Sequence, residues 1–96
     1  MTAGAKSAVG NAESAITVRV LAFARLRELL GFGERAVSVP VGATLEMVFA
    51  QLAADAPQLA PLRASTRFAR NGALATATSV VHEGDEIALL PPVGGG

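Results

Sequence analysis

The chemistry this sequence can offer is concentrated at its end. Ile87-Ala88-Leu89-Leu90 is an apolar run that reads as a buried strand; it meets Pro91-Pro92, and the chain passes through Val93 to Gly94-Gly95-Gly96. Proline donates no ladder hydrogen bond, so Pro91 and Pro92 stop the sheet and stiffen the exit. Glycine has no Cβ, so the last residues can thread a channel too narrow for ordinary side chains. From Pro92 onward the extended chain reaches roughly 15–18 Å past the domain. The expected tool is a rigid spacer with a thin, flexible tip at 94–96 that carries the Gly96 carboxylate. Terminal glycines are also what a frayed end looks like. Here they stand directly behind a Pro-Pro and a core strand, without the charge or serine of a solubilising tail, and that favours the tool.

No other set of residues competes with the tail. There is no cysteine, hence no thiol nucleophile, thiolate metal site or disulfide. The one histidine, His82, stands beside Glu83-Gly84-Asp85 and reads as a solvated turn residue, so no metal site is expected. The carboxylates are scattered over turns and helix starts without a nucleophile, base and acid that converge, which disfavours an independent enzyme. Eight basic and eight acidic side chains cancel, and four Phe with no Trp or Tyr give no stacking platform. Nucleic acid is therefore an unlikely ligand class. No apolar run approaches membrane-spanning length. Met1 to Ala15 lacks the apolar middle of a signal peptide, and it is expected to be a disordered leader on a cytoplasmic protein.

The elements that must position the tail follow from periodicity. The chain has 96 residues, 51% of them hydrophobic, which suits one small domain, here 16–93. Ile16, Val18, Val20 and Ala22 alternate with Thr17, Arg19, Leu21 and Phe23, the period of a strand. Arg25 to Leu30 carries Leu26, Leu29 and Leu30 at helical spacing, with Gly31 at the stop position, which predicts a short helix. Ala36 to Val39 is a second strand, ended by Pro40. Thr44 then caps a main helix with Glu46 in its first turn and Leu45, Val48, Phe49 and Leu52 on one stripe. Pro57 halts it, and Leu59 and Leu62 fall in an irregular linker. Arg67 to Arg70, the hairpin signal Asn71-Gly72 and the return strand Ala73 to Thr76 follow, and Glu86 to Leu90 is the last strand.

One long helix needs a sheet to bury its stripe. The most apolar strands, the first and the last, belong side by side in the middle of that sheet. The expected fold is α+β, a β-grasp (ubiquitin-like) roll with one mixed sheet packed on one main helix plus a short helix. If the helix covers one face only, strand parity turns Phe23 and Leu90 to the open side, where apolar residues beside a functional tail suggest a partner surface. The alternative is that the linker through Leu59 and Leu62 folds over them.

Val20-Leu21-Ala22-Phe23-Ala24-Arg25-Leu26-Arg27-Glu28-Leu29-Leu30-Gly31 resembles the opening segment of the small, MoaD-type sulfur-carrier subunit of molybdopterin synthase. The resemblance extends through Gly42-Ala43-Thr44, Asn71-Gly72, Gly84-Asp85-Glu86 and Pro91-Pro92-Val93 with the terminal glycines, so it covers about 17–96. It implies that the Gly96 carboxylate is adenylated by an ATP-dependent activating enzyme related to ubiquitin activators. A sulfur donor then converts it to a thiocarboxylate. The tail enters a larger synthase subunit and gives its sulfur to a pterin precursor, making the dithiolene that holds molybdenum. No bound cofactor is implied; ATP belongs to the activating enzyme. Gly95 and Gly96 match the family's reactive tail, and Phe23, Arg27 and Leu90 fall at positions the family uses for partner contact, ahead of Pro91, Pro92, Val93 and Gly94. Leu90 stands where an aromatic is common. The carrier subunit would have no catalytic centre of its own. Alternatives are a sulfur carrier for thiamine, cysteine or tRNA thiolation, whose relatives usually lack the Ala-Arg-Leu-Arg-Glu-Leu-Leu-Gly segment, and a ubiquitin-like modifier or interaction module.

Overall fold

A computed structural model of the chain describes residues 14–91. The described elements are β1 (Ala15–Ala22), α1 (Ala24–Leu30), β2 (Glu34–Pro40), α2 (Leu45–Asp55), a 3-10 helix (Pro57–Ser65), β3 (Arg67–Arg70), β4 (Ala73–Ala75) and β5 (Glu86–Leu90). They build one five-stranded sheet in the order β2-β1-β5-β3-β4. The first and last strands lie together and run parallel, with Val20 opposite Ile87 and Ala22 opposite Leu89; the other pairings are antiparallel. This is the mixed β-grasp sheet expected from the sequence.

Alternation decides which face is buried. Val18, Val20 and Ala22 of β1, Val37 and Val39 of β2, Phe68 of β3 and Ile87 and Leu89 of β5 all point to one side and are buried. Leu45, Val48, Phe49 and Leu52 of α2 meet them in a single core, where Phe49 packs edge-on against Phe68 at 6.2 Å. Thr44 caps α2 through its side-chain oxygen to the amide of Met47. The two amides ahead of Met47 are satisfied by carbonyls of the loop between β4 and β5: Leu45 N–H donates to Ser79 O and Glu46 N–H to Ala77 O. The start of α2 is therefore closed by protein.

Several boundaries differ from those expected: β2 runs Glu34–Pro40 rather than Ala36 to Val39, and α1 starts at Ala24 rather than Arg25. β1 opens at Ala15 and ends at Ala22, one residue ahead of the expected span at each end. It ends there because Ala24 turns the chain sharply at a positive φ of 49°, and the Phe23 carbonyl accepts the amides of Leu26 and Arg27 to start α1. β4 stops at Ala75 rather than Thr76. The linker expected to be irregular is a nine-residue 3-10 helix with Pro57 in its first turn; it buries Leu59 fully in the main core and packs Leu62 against it. This helix closes the covered side. It leaves Phe23 46% exposed, so the alternative in which the linker shields Phe23 is not realised.

Candidate functional site

The parallel pairing of β1 with β5 determines where the tail begins. Because Ala22 faces Leu89, the next residues on the two strands, Phe23 and Leu90, stand beside each other where both strands end. Phe23 sits in extended backbone at the threshold of α1, and the left-handed turn at Ala24 immediately after it is an uncommon conformation for a residue with a Cβ. Arg27 is one helical turn on, its amide hydrogen-bonded to the Phe23 carbonyl at 3.3 Å. Its guanidinium lies over Gly33, where a β-carbon would come within 3.2 Å of Nε. Arg27 thus lies beside the shallow depression lined by Ala24, Phe32 and Gly33. The expected contact residues Phe23, Arg27, Leu90 and Pro91 are thus gathered at one end of the sheet. The remaining expected site residues, Pro92, Val93, Gly94, Gly95 and Gly96, lie outside the described residues, as do residues 1–13 of the leader.

The site is larger than the sequence alone disclosed. The open face of the sheet carries a row that crosses four strands in register: Leu21 opposite Ala88, Ala88 opposite Ala69, and Ala69 opposite Leu74. Two leucines bracket two alanines, so the row is a shallow apolar trough, and Leu74 at its outer end is 69% exposed. The next row towards the tail pairs Leu90 with Arg67. On the other side the trough is bounded by Arg19, which pairs with both Glu34 and Glu86. These charges hold one another, and the Arg19 guanidinium is made more basic by its hydrogen bond to Glu86. The apolar strip therefore runs without interruption from Leu74 to the tail root. Leu21 was already conspicuous as an apolar residue on a polar face. Leu74 could have been found by counting outward in both directions from Asn71-Gly72, which places it opposite Ala69.

The far end of β5 is fixed by a polar network that sequence reasoning passed over as a turn. Asp85 is 7% exposed and accepts three hydrogen bonds: from Arg70 Nη1 at 3.0 Å, Asn71 Nδ2 at 2.9 Å and the His82 amide at 2.8 Å. Burial alone would raise its pKa; the donors from Asn71, His82 and Arg70 outweigh that and hold the carboxyl below its ordinary value. Asn71 also receives the Glu86 amide on Oδ1 and donates its own amide to the Glu86 carbonyl. It does so with φ at 51°, ahead of Gly72 at 87°, the two positive values a tight hairpin of the primed type demands. The hairpin residue is also the clamp on β5. His82 is exposed, as expected of a turn residue. Among the described residues, no three His, Cys, Asp or Glu side chains are grouped to hold a metal, and no helix is long and apolar enough to cross a membrane.

The ThiS family model matches residues 20–96. The molybdopterin synthase sulfur carrier subunit of Arabidopsis thaliana is 34% identical over 83 residues, covering 86% of this chain and 86% of its own length. That of Chlamydomonas reinhardtii is 33% identical over 81 residues, covering 82% of this chain and 98% of its own. The crystal structure of SAMP1 from Haloferax volcanii superposes with a TM-score of 0.73 at 30% identity, covering 83% of this chain and 99% of that one. At the level of fold, the chain also matches one from the complex of subunits 1 and 2 of molybdopterin-converting factor from Helicobacter pylori, with a TM-score of 0.60 at 22% identity, covering 84% of this chain and 100% of that one. A strand that delivers its end beside an open apolar trough, together with matches over most of the sequence, places this chain in the ThiS family, alongside the molybdopterin synthase sulfur carrier subunits.

Proposed function

We propose that this chain is the sulfur carrier subunit of a molybdopterin synthase, and that its working atom is the C-terminal carboxyl of Gly96. The observation that carries the reading is the continuity of the open-face trough with the strand that releases the tail. A partner that covers Leu74, Leu21, Leu90 and Phe23 receives whatever follows Pro91 at a fixed position. The names of the plant and algal relatives support a large synthase subunit as that partner.

The steps divide between the chain and its partners. An adenylating enzyme related to ubiquitin activators joins the Gly96 carboxylate to the α-phosphate of ATP and releases pyrophosphate. A sulfur donor replaces AMP at the acyl carbon, leaving a thiocarboxylate whose sulfur is a good nucleophile at neutral pH. The large subunit takes the tail into its own site, where the sulfur passes to the pterin precursor. Gly94, Gly95 and Gly96 keep the tip slender, Pro91, Pro92 and Val93 space it from the body, and Phe23, Arg27 and Leu90 set the seat. The chain needs no bound cofactor for this, and ATP is consumed by the activating enzyme. All of these partners are expected in the cytoplasm.

The test is intact-mass measurement after incubation with an adenylating enzyme of this class, ATP and a sulfur source. The expected result is a gain equal to exchanging one oxygen for sulfur, lost when Gly96 is amidated or the chain is extended by one residue. An unchanged mass, while a known carrier in the same mixture is modified, overturns the reading. The likeness to the archaeal SAMP1 favours one second reading, a ubiquitin-like modifier. Gly96 joined to lysines of other proteins in cells would distinguish it.

A further inference from the structure

The seven arginines within 14–91 divide by their company. Arg19 is paired with Glu34 and Glu86, Arg63 with Glu46 and Arg70 with Asp85. Arg35 rests over the Phe32 ring at 4.3 Å. The other three, Arg25, Arg27 and Arg67, are exposed and have no carboxylate within ion-pairing distance among the described residues. Glu28 stands three residues beyond Arg25, a spacing at which helical ion pairs form, yet it pairs with neither arginine of α1. A single solvated arginine on a surface needs no explanation; the sorting of paired and unpaired ones does. The carboxylate-paired arginines brace the body, and those without a carboxylate stand where β1 and β5 end.

Topology puts them on both sides of the exit. β5 lies between β1 and β3. Arg67 is directly opposite Leu90 on the β3 side of the open face. On the β1 side the chain turns at Phe23 into α1, whose Leu26 is buried. Arg25 and Arg27 flank that leucine, about 200° apart around the helix. Arg27 lies over Gly33, towards β2, which leaves Arg25 on the other flank, the one nearer β5. Leu90 and Pro91 therefore leave the sheet between Arg25 and Arg67, and with Glu28 counted against the three arginines the rim is net cationic. A partner that covers Leu90 takes Arg67 partly out of water, which is strongly unfavourable unless a carboxylate meets the guanidinium.

We propose that Arg25 and Arg67 are a steering pair: the cationic half of a charged rim whose other half is carboxylates of the large synthase subunit, set on both sides of the opening that receives the tail. The inference rests on the reading of the large subunit as the partner of this surface. The apolar trough supplies the contact that persists after docking, but burial of apolar area is non-directional and orients nothing at a distance. Two charges that straddle the tail root turn the carrier before contact, with the tail towards the opening. Charge at a rim acts on the association rate and on its salt dependence, and little on dissociation. Arg27 belongs to the seat itself and stays unaltered in the test.

The experiment measures association of the full chain with the molybdopterin synthase large subunit of the same organism by stopped flow. Salt runs from about 0.02 M to about 0.5 M, over which the screening length shrinks from about 20 Å to about 4 Å. The association rate of wild type should fall at least about tenfold across that range. Arg25→Gln and Arg67→Gln should each lower the low-salt rate by about two- to threefold and together flatten the salt dependence, with dissociation changed by less than about twofold. Arg67→Glu should lower the rate further. Arg25→Lys combined with Arg67→Lys keeps both charges and should restore the wild-type rate, which separates charge from packing. A wild-type rate indifferent to salt would overturn the inference and leave the sulfur-carrier reading standing. So would a double Gln variant that keeps the wild-type salt dependence, associates faster, or loses affinity through dissociation alone. A large subunit that binds at no salt concentration would overturn the reading of the partner, and the inference with it.

Discussion

Where β5 begins, Asp85 is sunk among Arg70, Asn71 and the His82 amide, and Asn71 binds Glu86 through both its side chain and its backbone. Where β5 ends, five residues later, Leu90 and Pro91 stand half-buried beside an exposed Phe23 and a backbone turn at Ala24 that most residues avoid. One end is polar, paired and complete in itself. The other is apolar and open, and it passes into the tail. A small carrier must fold without its partner yet keep something to offer it, and the two ends of one strand divide those tasks. The contrast also argues that substitutions at the two ends will report on different properties, stability at one and association at the other.

The largest effect should come from dismantling the closed end. Asp85→Ala strands three donors, one of them a partly buried guanidinium, and should lower the unfolding free energy by about 2–4 kcal/mol. The urea midpoint should fall with an unchanged slope. If the variant that remains folded binds the large subunit as wild type does, the two ends are separable; a matching loss of affinity would erase the distinction. At the open end, Phe23→Asp and Leu74→Asp should each change stability by no more than about 0.5–1 kcal/mol, because both side chains already face water. Each should weaken binding to the large subunit by about tenfold or more in calorimetric titration, as truncation of an apolar anchor does. Unaltered affinity in Leu74→Asp would confine the seat to the tail root.

Acid should act most strongly at the closed end, since the other lowered carboxyl, Glu46, is the more exposed of the two. The carboxyl of Asp85 titrates below its unfolded value of 3.8, so its contribution to stability is present above about pH 4 and lost as pH falls through the lower folded value. Thermal unfolding of wild type should therefore weaken below about pH 4, and Asp85→Asn should show a shallower acid limb. Equal acid limbs would remove Asp85 from its anchoring role. The smallest effect is expected at Glu46, which receives Arg63 Nε at 2.8 and 2.9 Å while that guanidinium lies over the Phe68 ring at 5.0 Å. The pair is largely solvated, and Glu46→Gln should cost about 0.5–1 kcal/mol, a calibration for what a surface contact away from both ends is worth.

The sequence disclosed elements wherever one local period ruled. The alternation of Ile16 to Ala22, the stripe Leu45–Val48–Phe49–Leu52 and the Asn71-Gly72 hairpin each led directly to β1, α2 and the β3–β4 turn. Apolarity of the first and last strands was enough to place β1 beside β5, and from that pairing Phe23 and Leu90 followed as neighbours. The 3-10 helix was missed because Leu59 and Leu62 alone, separated by Pro61 and preceded by Pro57, carry too short a pattern to separate a helix from a packed loop. Asp85 was missed for a different reason: its partners Arg70 and Asn71 are fifteen and fourteen residues away and meet it only when the hairpin is in register with β5. The trough was half visible, since Leu21 violated its face's polarity while Ala69 and Ala88 look neutral in any linear reading.

The parallel adjacency of β1 and β5 has a consequence during translation. Ile87 and Leu89 fill the centre of the core, and the strand that carries them leaves the ribosome after every other described strand. Until it emerges, β1 and β3 lack the neighbour they share, and the sheet cannot close. On the proposed function, a chain cut short before position 86 would have neither a finished body nor the tail, so it could not occupy the synthase as an inert decoy. Completion of the body and possession of the tail are proofread by the same strand.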